Sequence, residues 1–300
     1  MMTALGVFWL ILLILTGMSG TFLNSLVVVM CFGLWRRMSD LCNFNGILLI
    51  IGLVNLFYQW CLTLDNVFKY SDIYETFDKR LCLCLFYLQF TLVGVSLWNT
   101  AWLAIFYCVR LLNYSHWLFL QVKEKFSSFL PQLMVGSVLW SAFITMPLFW
   151  ETTMEIAQNQ TEKRNVCHYN VNAYYIILRP TLGFCIPFLL TCLSIGLSVR
   201  TLVRHINRMR KFHITSPQLQ GHFRAAKVMV THVYLEISFS VVIIIRTCTL
   251  RSNSIIEGIY WANILLYPTS QALILIFGNP NLKRKLFACL TLWKCLENWM

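Results

Sequence analysis

Seven times along this chain the charged residues stop. Residues 1–35, 41–64, 81–109, 126–150, 180–199 and 258–282 contain no Asp, Glu, Lys or Arg, and 228–245 contains only Glu236. A chain folding in water carries about 25% charged residues; here 12% are charged and 58% are hydrophobic. The mean hydropathy of +0.65 agrees. That much apolar surface has no home in an ordinary soluble core. A bilayer accepts it, because a spanning helix needs roughly 20 mostly apolar residues. In lipid every backbone group must be paired within the structure, which leaves helices or closed barrels. The stretches exceed the ~10 residues of a barrel strand. The expected fold is therefore all-α: a single domain over 1–300 with seven transmembrane helices near 4–34, 42–64, 82–112, 127–150, 173–203, 224–249 and 256–279. The first stretch lacks a basic leader and is longer than a signal-peptide core, so it reads as a retained helix.

Seven crossings put the two ends on opposite sides. One side collects Arg36, Arg37, Arg110, Lys123, Lys125, the bases of 200–211 and those of 283–285. On the other side lysines and arginines such as Lys69, Lys79, Arg80, Lys163 and Arg164 are matched by acids such as Asp72, Glu75, Asp78, Glu151 and Glu162. The formal net charge of +12 thus belongs to one face. Short loops rich in Lys and Arg stay cytosolic, so the N-terminus is expected outside and the C-terminus inside. A pI of 9.2 could suggest nucleic acid. Attraction to anionic lipid accounts for it without a polynucleotide.

This orientation sorts the glycan signals. Asn113, in "NYS", ends the third helix on the cytosolic side, where no glycan is added. Asn159, in "NQT", falls in the second outer loop and is the expected glycosylation site. Of the twelve cysteines, Cys31, Cys108, Cys185 and Cys192 fall in spans and read as buried thiols. Cys82 or Cys84 lies on the same outer side as Cys167, and either is a candidate partner for it. After Pro280, "NLKRKLFACLTLWKCLENWM" alternates bases with Leu, Phe and Trp. It reads as an amphipathic helix on the inner leaflet, with membrane lipid as its partner and Cys289 and Cys295 as palmitoylation candidates. His205, His213 and His222 lie in a basic loop without acid or Cys partners, so no metal is expected. No nucleophile–base set suggests catalysis, and no Lys in the last span invites a retinal; no cofactor is called for.

Inverted repeats with broken helices would mark a transporter, and several midspan charges a channel or pump. Neither pattern is present. The motifs resemble instead the type 2, or bitter, taste receptors among G protein-coupled receptors. "WNTAWLAIFYCVRLLNYSHWLFLQVK" resembles that family's third-helix signature through Trp98, Ala101, Leu103, Phe106, Tyr107, Arg110 in place of Lys, Asn113, Tyr114 in place of Phe, Ser115 and Lys123. Gln59 and Trp60 match in the second helix. "IPF" at 186–188, His205 and Met209 match in the fifth, and Pro217 and His222 in the sixth. "YPTSQALILIFGNPNLK" matches in the seventh through Tyr267, Pro268, Ile274, Leu275, Gly278, Asn279, Leu282 and Lys283. Two positions depart: Asn55 stands where the family usually has Arg, and Trp261 where it often has Glu.

The resemblance implies a receptor with two sites. The outer one takes small, bitter organic molecules. Trp98 and Trp102 share a helix face four residues apart, and Asn99, Asp65, Asn66, Phe239 and Trp261 complete the expected ligand site. An aromatic cavity suits apolar ligands, and Asp65 would pair a protonated amine. Trp102 is expected to narrow the pocket, so that Trp102→Ala would widen the ligand set. The inner site takes a heterotrimeric G protein with a gustducin-like Gα, through Arg110, Arg204, His205, Arg208, His222 and Arg224, with bending at Pro187 and Pro268. Glu236 is the one acid at membrane depth, where a charge is usually paired or protonated; Asn263 is one candidate partner. The expected location is the plasma membrane, with multiple passes. A type 1 vomeronasal receptor is the nearest alternative, and a transporter or channel the alternative from another class.

Overall fold

The computed structural model describes residues 4–37, 42–70, 79–111, 117–159, 164–171, 180–210, 217–248 and 254–297. Eight long helices follow one another: α1 (Ala4–Arg37), α2 (Cys42–Tyr70), α3 (Lys79–Leu111), α4 (Trp117–Thr145), α5 (Ile186–Arg210), α6 (Pro217–Cys248), α7 (Ser254–Gly278) and α8 (Pro280–Glu297). Between α4 and α5 the chain makes a short helical turn, Leu148–Glu151, and a hairpin of β1 (Thr152–Asn159) and β2 (Arg164–Val171). A wide π-type turn, Pro180–Cys185, leads into α5.

The hairpin corrects the all-α expectation. Its strands pair antiparallel from Thr152 opposite Val171 to Asn159 opposite Arg164. This segment carries no apolar run. Its β-branched and aromatic residues (Thr152, Thr153, Ile156, Val166, Tyr169, Val171) favour an extended ribbon.

Several helix limits also move. Charge-free runs underestimate helix length, because a helix propagates past the apolar zone one hydrogen bond at a time. So α2 runs to Tyr70 rather than 64, and α4 starts at Trp117 rather than 127, taking in Lys123, Glu124 and Lys125. In turn α4 stops at Thr145 rather than 150. Pro147 has no N–H and disfavours helix at Met146. The described part of the fifth helix begins with the turn at Pro180; its expected start at 173 lies among residues 172–179, outside the described residues, as do Asn113 and the rest of 112–116.

The helices close a ring. α1 packs on α2 and α7, α2 on α3 and α7, α5 on α6, and α6 on α7. α3 is the central post, touching α2, α4, α5 and α6. Polarity is inverted relative to a soluble protein. Met18 is 70% exposed, Phe143 68% and Leu193 64%, whereas Asn24, Asn55, Gln59, Asn99 and Gln271 are wholly buried. Apolar side chains facing outward and amides facing inward fit a hydrocarbon surround.

Among the described residues, six segments are long and apolar enough to cross a membrane: Val7–Leu34, Phe44–Phe68, Leu83–Leu111, Ser128–Thr145, Leu182–Arg204 and Ile256–Gly278. In α6, 32 residues long, the apolar portion is confined to Val230–Ile243. His232 and Glu236, both turned inward, interrupt it.

Candidate functional site

One half of the bundle holds a cavity between α3, α4, the π-type turn and α6. From α3 come Phe90, Val93, Gly94 and Leu97, spaced to share one helix face. α4 contributes Ser141, Ile144 and Thr145, again one face. The turn adds Gly183 and Phe184, and α6 adds Phe239, Ser240 and Ile243. The space between these walls is about 600 Å³ with the open mouth included, but only about 60 Å³ of it is reachable by a water-sized sphere. That is less than the roughly 300–1,000 Å³ of a site for a drug-sized molecule, so a ligand must part the walls to enter.

The walls are aromatic and aliphatic. Phe90 meets Phe86 edge to face at 4.3 Å, Phe184 stacks on Phe188 at 5.5 Å, and Phe239 lies against Tyr267 at 4.4 Å. Three hydroxyls interrupt this surface. Thr145 donates to the carbonyl of Ser141 at 2.7 Å, and Ser240 donates to the carbonyl of Glu236, so both are engaged with their own helices. The Ser141 hydroxyl makes no hydrogen bond among the described residues. It lies against α3 where Gly94 leaves room: a Cβ on Gly94 would come within 2.9 Å of Ser141 Oγ. The cavity thus offers apolar walls and a single available polar contact.

The expected ligand residues are placed differently from one another. Phe239 lines this cavity. Trp98 and Trp102 stack at 5.6 Å but turn toward α4, where Trp102 Nε1 donates to Ser137 Oγ at 2.7 Å. Asn99 is fully buried, Asp65 is buried inside α2, and Asn66 Nδ2 donates back to the Leu62 carbonyl at 2.8 Å. Trp261 lies half-buried on α7, edge to face with Tyr260 at 5.6 Å. None of these six is among the residues lining the cavity. Sequence reasoning did not single out Phe90, Gly94, Ser141, Ile144, Gly183 or Phe184. The i, i+3, i+4 pattern on α3 and α4 was visible, but nothing in it said which two helices would face each other.

Beside the cavity, one helical turn along α6, Glu236 is 1% exposed. Its contact is Thr100 on α3 rather than Asn263. Gln271 on α7 donates from Nε2 to Thr100 Oγ1 at 3.0 Å, and Ser96 Oγ donates to Gln271 Oε1 at 3.0 Å. Asn55 Oδ1 of α2 lies 3.5 Å from the same Ser96 hydroxyl. This polar relay joins four helices at the centre of the bundle.

The opposite end carries the bases. From Phe90 to Arg110, α3 rises about 30 Å, the thickness of a hydrocarbon core. Arg110, Arg204 and Lys227 are exposed there on α3, α5 and α6. His205, Arg208, His222 and Arg224 belong to α5 and α6, but their side chains lie outside the described residues. Cys84 and Cys289 are exposed free thiols. The expected partner in either alternative of the outer bridge, Cys167, lies outside the described side chains, as do Cys82 and Cys295.

Comparison with known proteins agrees along nearly the whole chain. The family model for taste receptor protein (TAS2R) matches residues 1–294. Taste receptor type 2 member 41 of Gorilla gorilla gorilla is 28% identical over 97% of this chain and 98% of its own. Member 40 of Gallus gallus is 24% identical over 94% of each chain. Member 9 of Homo sapiens is 26% identical over 90% of this chain and 88% of its own.

Proposed function

The chain belongs to the taste receptor protein (TAS2R) family, and from that premise we propose how its two ends divide the work. It is a multi-pass membrane receptor for bitter compounds, of the G protein-coupled class, with a small-molecule ligand and a G protein as partners. The family is one of receptors, not of enzymes.

Its ligand occupies the cavity between α3, α4, the π-type turn and α6. The observation that carries this reading is the lining of the cavity: aromatic and aliphatic walls around the Ser141 hydroxyl, which has no partner among the described residues. Such a site favours an apolar organic molecule with one hydrogen-bonding group. Trp98 and Trp102 act behind it, tying α3 to α4, while Asn99, Asp65, Asn66 and Trp261 shape the polar and aromatic surroundings. α1 to α7 make seven crossings of the plasma membrane as one domain, with the N-terminus outside. The excess of Lys and Arg at one end supports this orientation. Asn159, the last residue of β1, then faces outside and carries the glycan.

At the cytosolic end Arg110, Arg204, His205, Arg208, His222 and Arg224 surround the place where a gustducin-like Gα would insert its C-terminal helix in helix-in-groove fashion. α6 connects the two ends. Ser240 lies about 6 Å along the axis from Glu236, and Val228 about 12 Å on the other side. With the Glu236–Thr100 contact as pivot, a shift at the cavity is roughly doubled at the cytosolic base. A ligand drives that motion only if it binds the open state better than the closed one.

Calcium imaging with a chimeric taste G protein, against a panel of bitter compounds, tests this. Ile144→Trp fills the cavity from α4 and should abolish agonist responses at unchanged surface expression. Unaltered dose–response curves would remove the cavity from the argument.

A further inference from the structure

A second concave site lies at the elbow between α7 and α8, remote from the ligand cavity. Leu282 and Leu286, four residues apart, are buried and join the core formed with α1, α2 and α7. They pin α8 to the bundle and so fix its opposite face. On that face Phe277, Pro280, Lys283, Arg284 and Phe287 enclose a groove of about 650 Å³, open solvent included. The Lys283 ammonium sits between two rings, 5.9 Å from the centre of Phe277 and 5.8 Å from that of Phe287. Cation–π attraction holds it at the groove wall. Arg284 is exposed beside it, and no acidic side chain lines the groove.

The groove does not stand alone. Leu266, Leu273 and Phe277 are exposed on α7 at spacings of seven and four residues, so they form one outward stripe. That stripe runs down the bundle and ends where Lys283 and Arg284 begin. An apolar track leading to a pair of cations matches one occupant: an acyl chain joined to an anionic phosphate. We propose that the α7–α8 elbow is a binding site for an anionic phospholipid of the cytosolic leaflet. Its headgroup phosphate contacts Lys283 and Arg284, and an acyl chain follows Phe277 and Leu273. The assignment to the cytosolic leaflet rests on the orientation proposed above; the site itself does not.

The test uses the purified full chain in detergent micelles, titrated with dioleoyl-phosphatidylglycerol or dioleoyl-phosphatidylcholine, with bound lipid counted by native mass spectrometry. The anionic lipid should be preferred about twenty-five-fold, the product of two bases contributing roughly fivefold each. Lys283→Ala combined with Arg284→Ala should erase the preference while leaving phosphatidylcholine retention intact, which also reports that the variant is folded. Lys125→Ala removes an exposed base elsewhere and should keep the preference. The site is refuted by equal binding of the two lipids, by an equal loss in Lys125→Ala, by loss of both lipids in the double variant, or by displacement with inorganic phosphate at the lipid's concentration. Micelles have no sidedness, so a negative result counts against the groove. The orientation is read separately, from antibody access to a C-terminal epitope in intact cells.

Discussion

Gly278→Ala is the substitution through which the proposed motion of α6 is most directly read. Gly278 ends α7 beside Val228 on α6. A Cβ placed on it would lie 3.0 Å from Val228 Cγ1 and 3.2 Å from Cβ, and closer still to Cγ2. Ordinary carbon–carbon contact is about 3.5–4.0 Å, so something must retreat by roughly 1 Å. Val228 cannot turn away. A β-branched side chain in a helix has one strongly preferred rotamer, and all three of its outer carbons face the new methyl. The cheaper response is for α6 to move off α7 at its cytosolic end. Overpacking of this kind costs about 1–3 kcal/mol. If the cost falls on the closed state alone, the open fraction rises by about 5- to 150-fold. The assay is ligand-independent G protein activation at matched surface expression, where basal activity should rise by a factor in that range. Val228→Ala removes both clashing Cγ atoms, so the double variant should return toward the parent; the two effects should be strongly non-additive, as expected for residues in contact. Unchanged or reduced basal activity in Gly278→Ala, or failure of Val228→Ala to reverse the rise, would refute an outward-moving α6.

Three further outcomes follow from the geometry. Trp102→Ala removes the hydrogen bond to Ser137 and the stack on Trp98, together worth about 2 kcal/mol; thermal unfolding of the purified receptor should fall accordingly while the rank order of agonists stays the same. Glu236→Ala removes the α6 group that faces Thr100 and should change basal signalling, whereas Glu236→Gln, which keeps a hydrogen-bonding group there, should stay near the parent in the same assay. Asn159→Gln should abolish the mobility shift that a glycosidase produces on gel electrophoresis, and Asn113→Gln should leave that shift intact.

How far the chain could be read in advance depended on the range of the interaction involved. The helices were legible because absence of charge over some twenty residues is a local and strong signal. Their ends were not, because Lys123, Glu124 and Lys125 are as compatible with a helix leaving the membrane as with a loop. The hairpin at 152–171 escaped because its alternation of apolar and polar residues is short, running from Cys167 to Val171 in the second strand and only from Met154 to Ile156 in the first. The motif around Tyr267 and Gly278 pointed to the right family, yet said nothing of the contact between Gly278 and Val228, fifty residues away in the chain. The same holds for the ligand site. Trp98 and Trp102 were correctly read as sharing a face, but whether that face meets α4 or an open pocket depends on the rotation of α3. Rotation is set by packing between helices, here by Ser137 accepting from Trp102 and by Ser141 fitting against Gly94.

The inverted polarity of the bundle gives these details a common cause. In water, apolar burial would hold seven helices together in almost any rotation that hides the apolar faces. In lipid, the surround is as apolar as leucine, and association is left to close packing and hydrogen bonds. Fully buried Asn55, Ser96, Thr100, Gln271 and Glu236 therefore decide which faces meet. Such contacts are few and directional, so breaking one does not dissolve the bundle but lets a helix settle in a second arrangement. This is the property a receptor needs. Glu236 lies one turn from Ser240 in the cavity wall and two turns from the Val228–Gly278 contact, so a single helix carries the ligand's contact, the polar relay and the base of the bundle. A ligand pressing on Phe239 and Ser240 acts on the element whose alternative position is opposed by only a few hydrogen bonds.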